Sequence, residues 1–377
     1  MLEPVEFAAV SSQRASTRVP ELDGLRGIAI LLVLVFHFTP VAGPLFFLAH
    51  AFQFGWIGVD LFFVLSGFLI TGILLDTVGR RAYYRNFIVR RTLRIFPLYY
   101  ACLILFCVLH YYPDAIRWKD FFVSGGGWWY AAYLGNVKAS LDGQWPAAGL
   151  LTPLWSLQVE EQFYLSYPFL VAAVSPRTLA KILMAAIGMA LLLRVAITAA
   201  VPESLLWTYT LMPCRMDSLA MGGLIAIAQR YRPDLLKERW ITWVTILSAT
   251  VFLIDYLYSS GSLWSAGMRT IGYSAVDLAF AGLLVMVLGG RPRALVTLCR
   301  WRGLVWVGTI SYGLYLLHGS AGTIVRRFST KLGIYPHGSA EFVMCMAVAM
   351  LAAWASWSVF ESPILKLKDR FAAAERV

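Results

Sequence analysis

Arg26 and His37 stand eleven residues apart in an apolar run. On an α-helix that spacing is close to three turns, about 16 Å of rise, so both side chains share one side. If the run crosses a bilayer, the imidazole sits at mid-membrane depth and the guanidinium lies near one surface. An imidazole there can take a proton from a hydroxyl near neutral pH. The plainer alternative is a histidine bonded to a neighbouring helix. A second group runs from Trp155 to Tyr164 and holds Glu160 and Glu161. Successive residues diverge by about 100° around a helix, so two adjacent carboxylates cannot both face lipid. One turned inward, Glu161 before Glu160, can orient the imidazole and stabilise its cation as in acid–base triads. A paired or interfacial structural acid is the alternative.

A third group is Arg90, Arg91 and Arg94. Forked guanidinium groups suit phosphate oxygens, so a nucleotide-bearing donor such as a coenzyme A ester is the expected ligand. Anionic lipid would also be met by such a cluster, but six arginines between Arg80 and Arg94 exceed that need. Asp60 and Ser66-Gly67, Arg215 and Asp217, and His318 are smaller signals. Arg215 and Asp217 read as an internal ion pair. Ser66-Gly67 reads as a site of close helix packing, and His318 as a second acid–base group or an interhelical hydrogen bond. With Trp155 and Tyr164 these residues make up the expected substrate-binding set. His50, His110 and His337 read as interfacial. There is no GxSxG elbow, HExxH helix or P-loop, which removes the common hydrolase, metalloprotease and nucleotide-hydrolase readings.

The elements that position these groups follow from composition. Of 377 residues, 59% are hydrophobic and 14% charged, against about 45–50% and 25% in soluble domains. The apolar residues come in blocks near the length that crosses a bilayer. The chain is therefore expected to be an all-α polytopic membrane protein of about ten transmembrane helices. Spans are placed at about 26–46, 55–75, 94–112, 153–174, 179–200, 211–229, 240–258, 270–289, 303–322 and 340–360, within one domain of residues 21–365. Residues 1–20 and 366–377 are short polar tails, and the first span is expected to stay as an uncleaved anchor.

With the N-terminus cytoplasmic, the inside segments hold 22 lysines and arginines and the outside segments 7. That places both termini in the cytoplasm. The net charge of +11 thus belongs to loops facing anionic lipid, and no nucleic-acid partner is implied. Five cysteines without a CxxC pair argue for packed thiols, and no metal is expected. The long connection from 113 to 152, with three glycines before Trp128-Trp129-Tyr130, reads as an outside cap or a shallow re-entrant segment.

Taken in order, several blocks resemble those of the membrane acyltransferase-3 family. They are Glu21 to His37, Gly58 to Thr71, Arg90 to Pro97, Trp155 to Leu165, Arg215 to Asp217, Ser311 to His318, and Phe360 to Pro363. The resemblance covers about residues 20–365. Departures are Gln158, where serine is common, and Leu317, where tryptophan is common. The resemblance implies a ten-helix bundle in the bacterial cytoplasmic (inner) membrane. Such an enzyme takes an acyl group, usually acetyl, from cytoplasmic acyl-CoA and places it on a hydroxyl. The acceptor is a surface polysaccharide, lipopolysaccharide, peptidoglycan or a small glycosylated metabolite. It also implies that Arg26 and His37 are the functional pair. Some relatives carry an esterase-like domain after the bundle, and a step needing it is expected here to fall to a separate protein or not to occur. The competing reading is a transporter or flippase for a lipid-linked sugar, using the same polar groups as a pathway.

Overall fold

A backbone within lipid has no water for its N–H and C=O groups, so apolar runs there fold as helices. The computed structural model describes residues 19–39, 44–45, 47, 51–111, 121–122, 126–146, 151–237, 239–333 and 338–373. Among these residues no strand forms, and ten helices have sixteen residues or more. They are α1 (Pro20–Phe38), α2 (Gly58–Thr77), α3 (Tyr83–Tyr111), α4 (Leu154–Ala173), α5 (Pro176–Ala200), α6 (Met212–Tyr231), α7 (Trp240–Tyr258), α8 (Tyr273–Leu288), α9 (Ser311–Lys331) and α10 (Ser339–Ser356). Seven of these, α2, α3, α5, α6, α7, α8 and α10, are long and apolar enough to cross a membrane. The remaining three are long but too polar to qualify by composition. Glu21, Asp23 and Arg26 lie in α1, Glu160 and Glu161 in α4, and Arg326, Arg327 and Lys331 in α9. All three carry residues singled out for chemistry.

Helix boundaries differ from hydropathy expectations where charge lies inside a helix. The first helix begins at Pro20, six residues before the expected span. Proline's fixed φ suits a first helical turn, and Glu21 and Asp23 in that turn meet the positive end of the helix dipole. α3 begins at Tyr83 rather than 94, because arginine is a good helix former that hydropathy does not count. The ninth expected span, 303–322, is broken. A short helix, Arg302–Thr309, ends at Ile310 before α9 begins. That short helix packs across α1, where a Cβ on Gly308 would collide with the Asp23 carbonyl oxygen.

Helices α2 and α6 form the centre, with 78% and 67% of their most apolar windows buried, whereas α7 has 11% and α5 has 17%. The outer helices thus present their side chains to lipid. The two central helices run side by side through paired glycines. A Cβ on Gly67 would overlap the Leu219 carbonyl oxygen, and one on Gly222 would overlap the Val64 carbonyl oxygen. Small residues of this kind let helices approach within membranes. Gly67→Ala is expected to cost about 1–3 kcal/mol through overpacking, read as a lower midpoint of thermal unfolding in detergent. At one end of the pair, Arg230 donates to both oxygens of Asp76 at 2.7 and 2.6 Å. Gly58 on α2 faces Ala29 and Val33, so α1 runs antiparallel to α2 and its start shares that end. There Arg300 donates to Glu21 at 2.6 Å.

The described part of the 113–152 connection contains the helices Gly127–Ala131 and Gly135–Asp142. It is tied to the bundle by hydrogen bonds, while Trp128 and Leu141 stay exposed. Tyr99 and Tyr100 of α3 donate to the carbonyls of Tyr130 and Ala131 at 2.7 and 2.9 Å. Buried Asn136 donates to the Thr210 carbonyl at 3.0 Å and accepts from Gln162 of α4 at 2.9 Å. Irregular backbone at membrane depth is tolerated where protein satisfies it in this way. Gln158, the first departure noted above, donates to Tyr99 Oη at 3.0 Å and so holds α4 to α3. Residues 112–120, 123–125 and 147–150 of that connection, and His50 and His337, lie outside the described residues, as does the side chain of His110.

Candidate active site

Five helices, α1, α2, α3, α4 and α9, enclose a cavity of about 670 Å³, counting its open mouth. Arg26, Ser66, Arg91, Arg94, Glu160 and Tyr164 line it, with Ser156, Tyr312 and Tyr315 on its further walls. Arg91 and Arg94 reach it together because residues three apart share a helix face. The lining therefore holds three guanidinium groups and one carboxylate. That surplus of forked donors suits an anionic, phosphate-bearing ligand.

Local contacts fix these groups. Arg26 donates to Asp23 at 3.2 Å, one turn earlier. The Arg91 guanidinium lies 5.4 Å from the centre of the Tyr164 ring and 5.9 Å from that of Phe87, within cation–π range. Ser66 donates its hydroxyl hydrogen to Glu160, and the Tyr164 hydroxyl donates to Ser66 Oγ at 3.1 Å. Tyr312 donates to the Ile95 carbonyl at 2.6 Å and ties α9 to α3.

A pair of histidines lies outside this lining. The rings of His37 and His318 are 4.7 Å apart between centroids. His37 Nδ1 is 2.9 Å from the Val33 carbonyl, and His318 Nδ1 is 2.6 Å from the Tyr315 carbonyl. A carbonyl only accepts, so each Nδ1 carries a hydrogen and each neutral ring offers Nε2 as the basic nitrogen. His318 is buried and its Nε2 has no hydrogen-bond partner. Tyr315 connects the two regions. It lines the cavity, shares a 2.6 Å hydrogen bond with Ser156, and its ring centre is 5.9 Å from that of His318.

The remaining expected residues fall elsewhere. Of the two glutamates, Glu160 lines the cavity, whereas Glu161 is buried outside its lining. Arg90 is likewise not among the lining residues. Trp155 packs against Tyr209 and Phe63, with centroids 4.6 and 5.9 Å apart. Arg215 and Asp217 do not pair with each other, which corrects the expectation above. Residues two apart on a helix point to different sides. Arg215 instead pairs with Asp60 of α2, and Asp217 accepts from Arg194 of α5 and Ser274 of α8, both at 2.8 Å. Asp277, fully buried on α8, carries two oxygens without a hydrogen-bond partner. Arg194 and Asp277 were not singled out from sequence. The available signal was a lone charge inside an apolar run, as in Leu-Leu-Leu-Arg194-Val and Ala-Val-Asp277-Leu.

Ionisable groups buried among helices in this way mark a functional interior. A family model described as an acyltransferase domain matches residues 19–358, and the chain belongs to the acyltransferase-3 family. It is 28% identical to the peptidoglycan O-acetyltransferase OatA of Listeria monocytogenes over 92% of this chain and 56% of that protein. It is 31% identical to the putative peptidoglycan O-acetyltransferase YrhL of Bacillus subtilis over 80% of this chain and 48% of that one. The O-acetyltransferase OatA of Staphylococcus aureus is 26% identical over 97% of this chain and 60% of its own length. The chain thus spans about half the length of these relatives. No solved structure matches it.

Proposed function

We propose that this protein is a membrane O-acyltransferase that moves an acyl group, acetyl foremost, from cytoplasmic acyl-CoA to a hydroxyl of an envelope carbohydrate. The observation that carries the reading is the cavity with three guanidinium groups at one end of the bundle and a histidine pair beyond its Tyr315 wall. The surplus of basic residues on the inside segments supports a cytoplasmic position for the arginine-bearing end. The names of the relatives favour peptidoglycan among the acceptors.

In this reading the phosphates of the donor rest on Arg26, Arg91 and Arg94, and its thioester points into the cavity. Nε2 of His37 takes the proton of the acceptor hydroxyl as its oxygen attacks the acyl carbon. His318 stands against His37 and holds it in place. The fixed positions of donor and base supply much of the rate gain, since alignment alone is worth roughly 7–11 kcal/mol. Glu160 and Tyr164 order the inner wall, and Asp60, Arg215, Asp217 and Trp155 hold the frame around it.

The test is release of coenzyme A thiol from acetyl-CoA by the purified protein in nanodiscs, with and without peptidoglycan fragments. Acceptor-dependent release supports the reading. Folded protein that neither binds nor consumes acyl-CoA returns the question to a transporter of lipid-linked sugar. Arg91→Gln or Arg94→Gln is expected to raise the KM for acetyl-CoA about 10- to 100-fold, since a hydrogen bond to a charged group is worth about 1.5–3 kcal/mol.

A further inference from the structure

The cavity presents several hydroxyls, and their hydrogen bonds distinguish them. Tyr312 gives its hydrogen to a backbone carbonyl, Ser156 is bonded to Tyr315, and Tyr164 donates to Ser66. Ser66 directs its hydrogen at a carboxylate that shares the cavity, that of Glu160. This bond is not the usual state of a helical hydroxyl. Elsewhere in the bundle Ser166 returns its hydrogen to the Gln162 carbonyl, Thr245 to that of Ile241 and Thr309 to that of Val305, the common local bond of serine and threonine in helices. The α2–α4 interface instead gives Ser66 a base. Next to it, Gly67 brings α2 against α6, which fixes the face on which Ser66 points. His37 is not among the lining residues.

A hydroxyl hydrogen-bonded to a base, in a pocket that admits the electrophile, is the arrangement of an activated nucleophile. Building on the donor reading above, we propose that Ser66 is a catalytic nucleophile that carries the acyl group as a serine ester between coenzyme A and the acceptor. In the first step Ser66 Oγ attacks the thioester carbon while Glu160 takes the hydroxyl proton. The carbon–sulfur bond breaks, and the thiolate takes that proton from Glu160 and leaves as the free thiol. In the second step the attacking hydroxyl forms its bond to the acyl carbon as the carbon–Oγ bond breaks. The proton it loses goes to Nε2 of His37 and returns through Glu160 to Ser66 Oγ, which restores the serine. The Tyr164 hydroxyl, donating to Oγ throughout, stabilises the oxygen while its hydrogen is away. Arg91, set over Tyr164, places the donor beside it.

The full-length protein in nanodiscs, given acetyl-CoA without acceptor and quenched in denaturant, is analysed by peptide mass spectrometry. One acetyl group is expected on the peptide containing Ser66 and none in Ser66→Ala. Glu160→Gln forms the ester more slowly by about 10²–10⁴-fold, the usual worth of a positioned base. Ser66→Cys acquires a thioester that hydroxylamine removes, a result that a purely structural serine would not give. Acetyl-CoA binding is followed on the same preparations by calorimetry. If Ser66→Ala binds acetyl-CoA and turns over like the parent, or if the first acetyl group appears on His37, Ser66 is not the carrier and the donor reading stands. If the parent does not bind acetyl-CoA, the donor reading fails and the serine ester fails with it.

Discussion

Replacing His37 with alanine is expected to lower acceptor-dependent transfer by about 10²–10⁴-fold, the usual contribution of a positioned acid–base group. The affinity for acetyl-CoA should stay within about twofold, because His37 lies outside the cavity that holds the arginines. His37→Gln should behave like alanine, since a side-chain amide donates and accepts hydrogen bonds but does not take a proton at neutral pH. The effect should therefore fall on kcat with KM for the donor unchanged. Thiol release measured over a range of acetyl-CoA concentrations separates the two terms. A variant that raised KM and left kcat intact would place His37 in donor binding instead.

The second large effect is on the folded state. Arg215→Ala should destabilise the protein by about 3–5 kcal/mol, the cost of removing one partner from a buried ion pair. Asp60 would remain buried without its guanidinium, with Asp217 and Asp277 of the same cluster close by. Arg215 also lies over the rings of Tyr273 and Tyr209, at 4.7 and 5.6 Å, so the truncation leaves a void among aromatics. The double variant Asp60→Asn with Arg215→Met removes both charges and retains volume. It should recover most of the loss, because replacing a whole buried pair by packed neutral groups is often neutral or better. Thermal unfolding in one detergent, monitored by tryptophan fluorescence, measures both. Equal losses in the single and double variants would mean that packing, not charge, sets the cost.

Much of the helical frame was legible from block lengths alone, because lipid demands helices of a certain length. The polar helices α1 and α4 were legible for the opposite reason, since a carboxylate or guanidinium in an apolar run calls for an interior partner. Partner choice was not legible. Arg215 and Asp217 are neighbours in sequence but face different helices, and their partners Asp60 and Arg194 are 155 and 23 residues away. The phase of α4 was also hidden. Sequence requires that one of Glu160 and Glu161 turn inward, but only the position of α2, with Ser66 opposite, selects the glutamate that meets the cavity. The tautomers of His37 and His318 depend on which carbonyls lie within reach, and for His37 and His318 these are in their own helices, four and three residues back.

The Asp60–Arg215 pair has a consequence during biogenesis. Asp60 enters the membrane with α2, and the arginine that neutralises it is made 155 residues later. At about 5–20 residues per second of synthesis, the carboxyl waits roughly 8–30 s for its partner. Arg194 and Asp217, only 23 residues apart, meet within seconds. The Asp60 carboxyl therefore needs a polar or guarded setting until α6 emerges, so α2, second of the long helices to be made, cannot complete its packing until the sixth arrives.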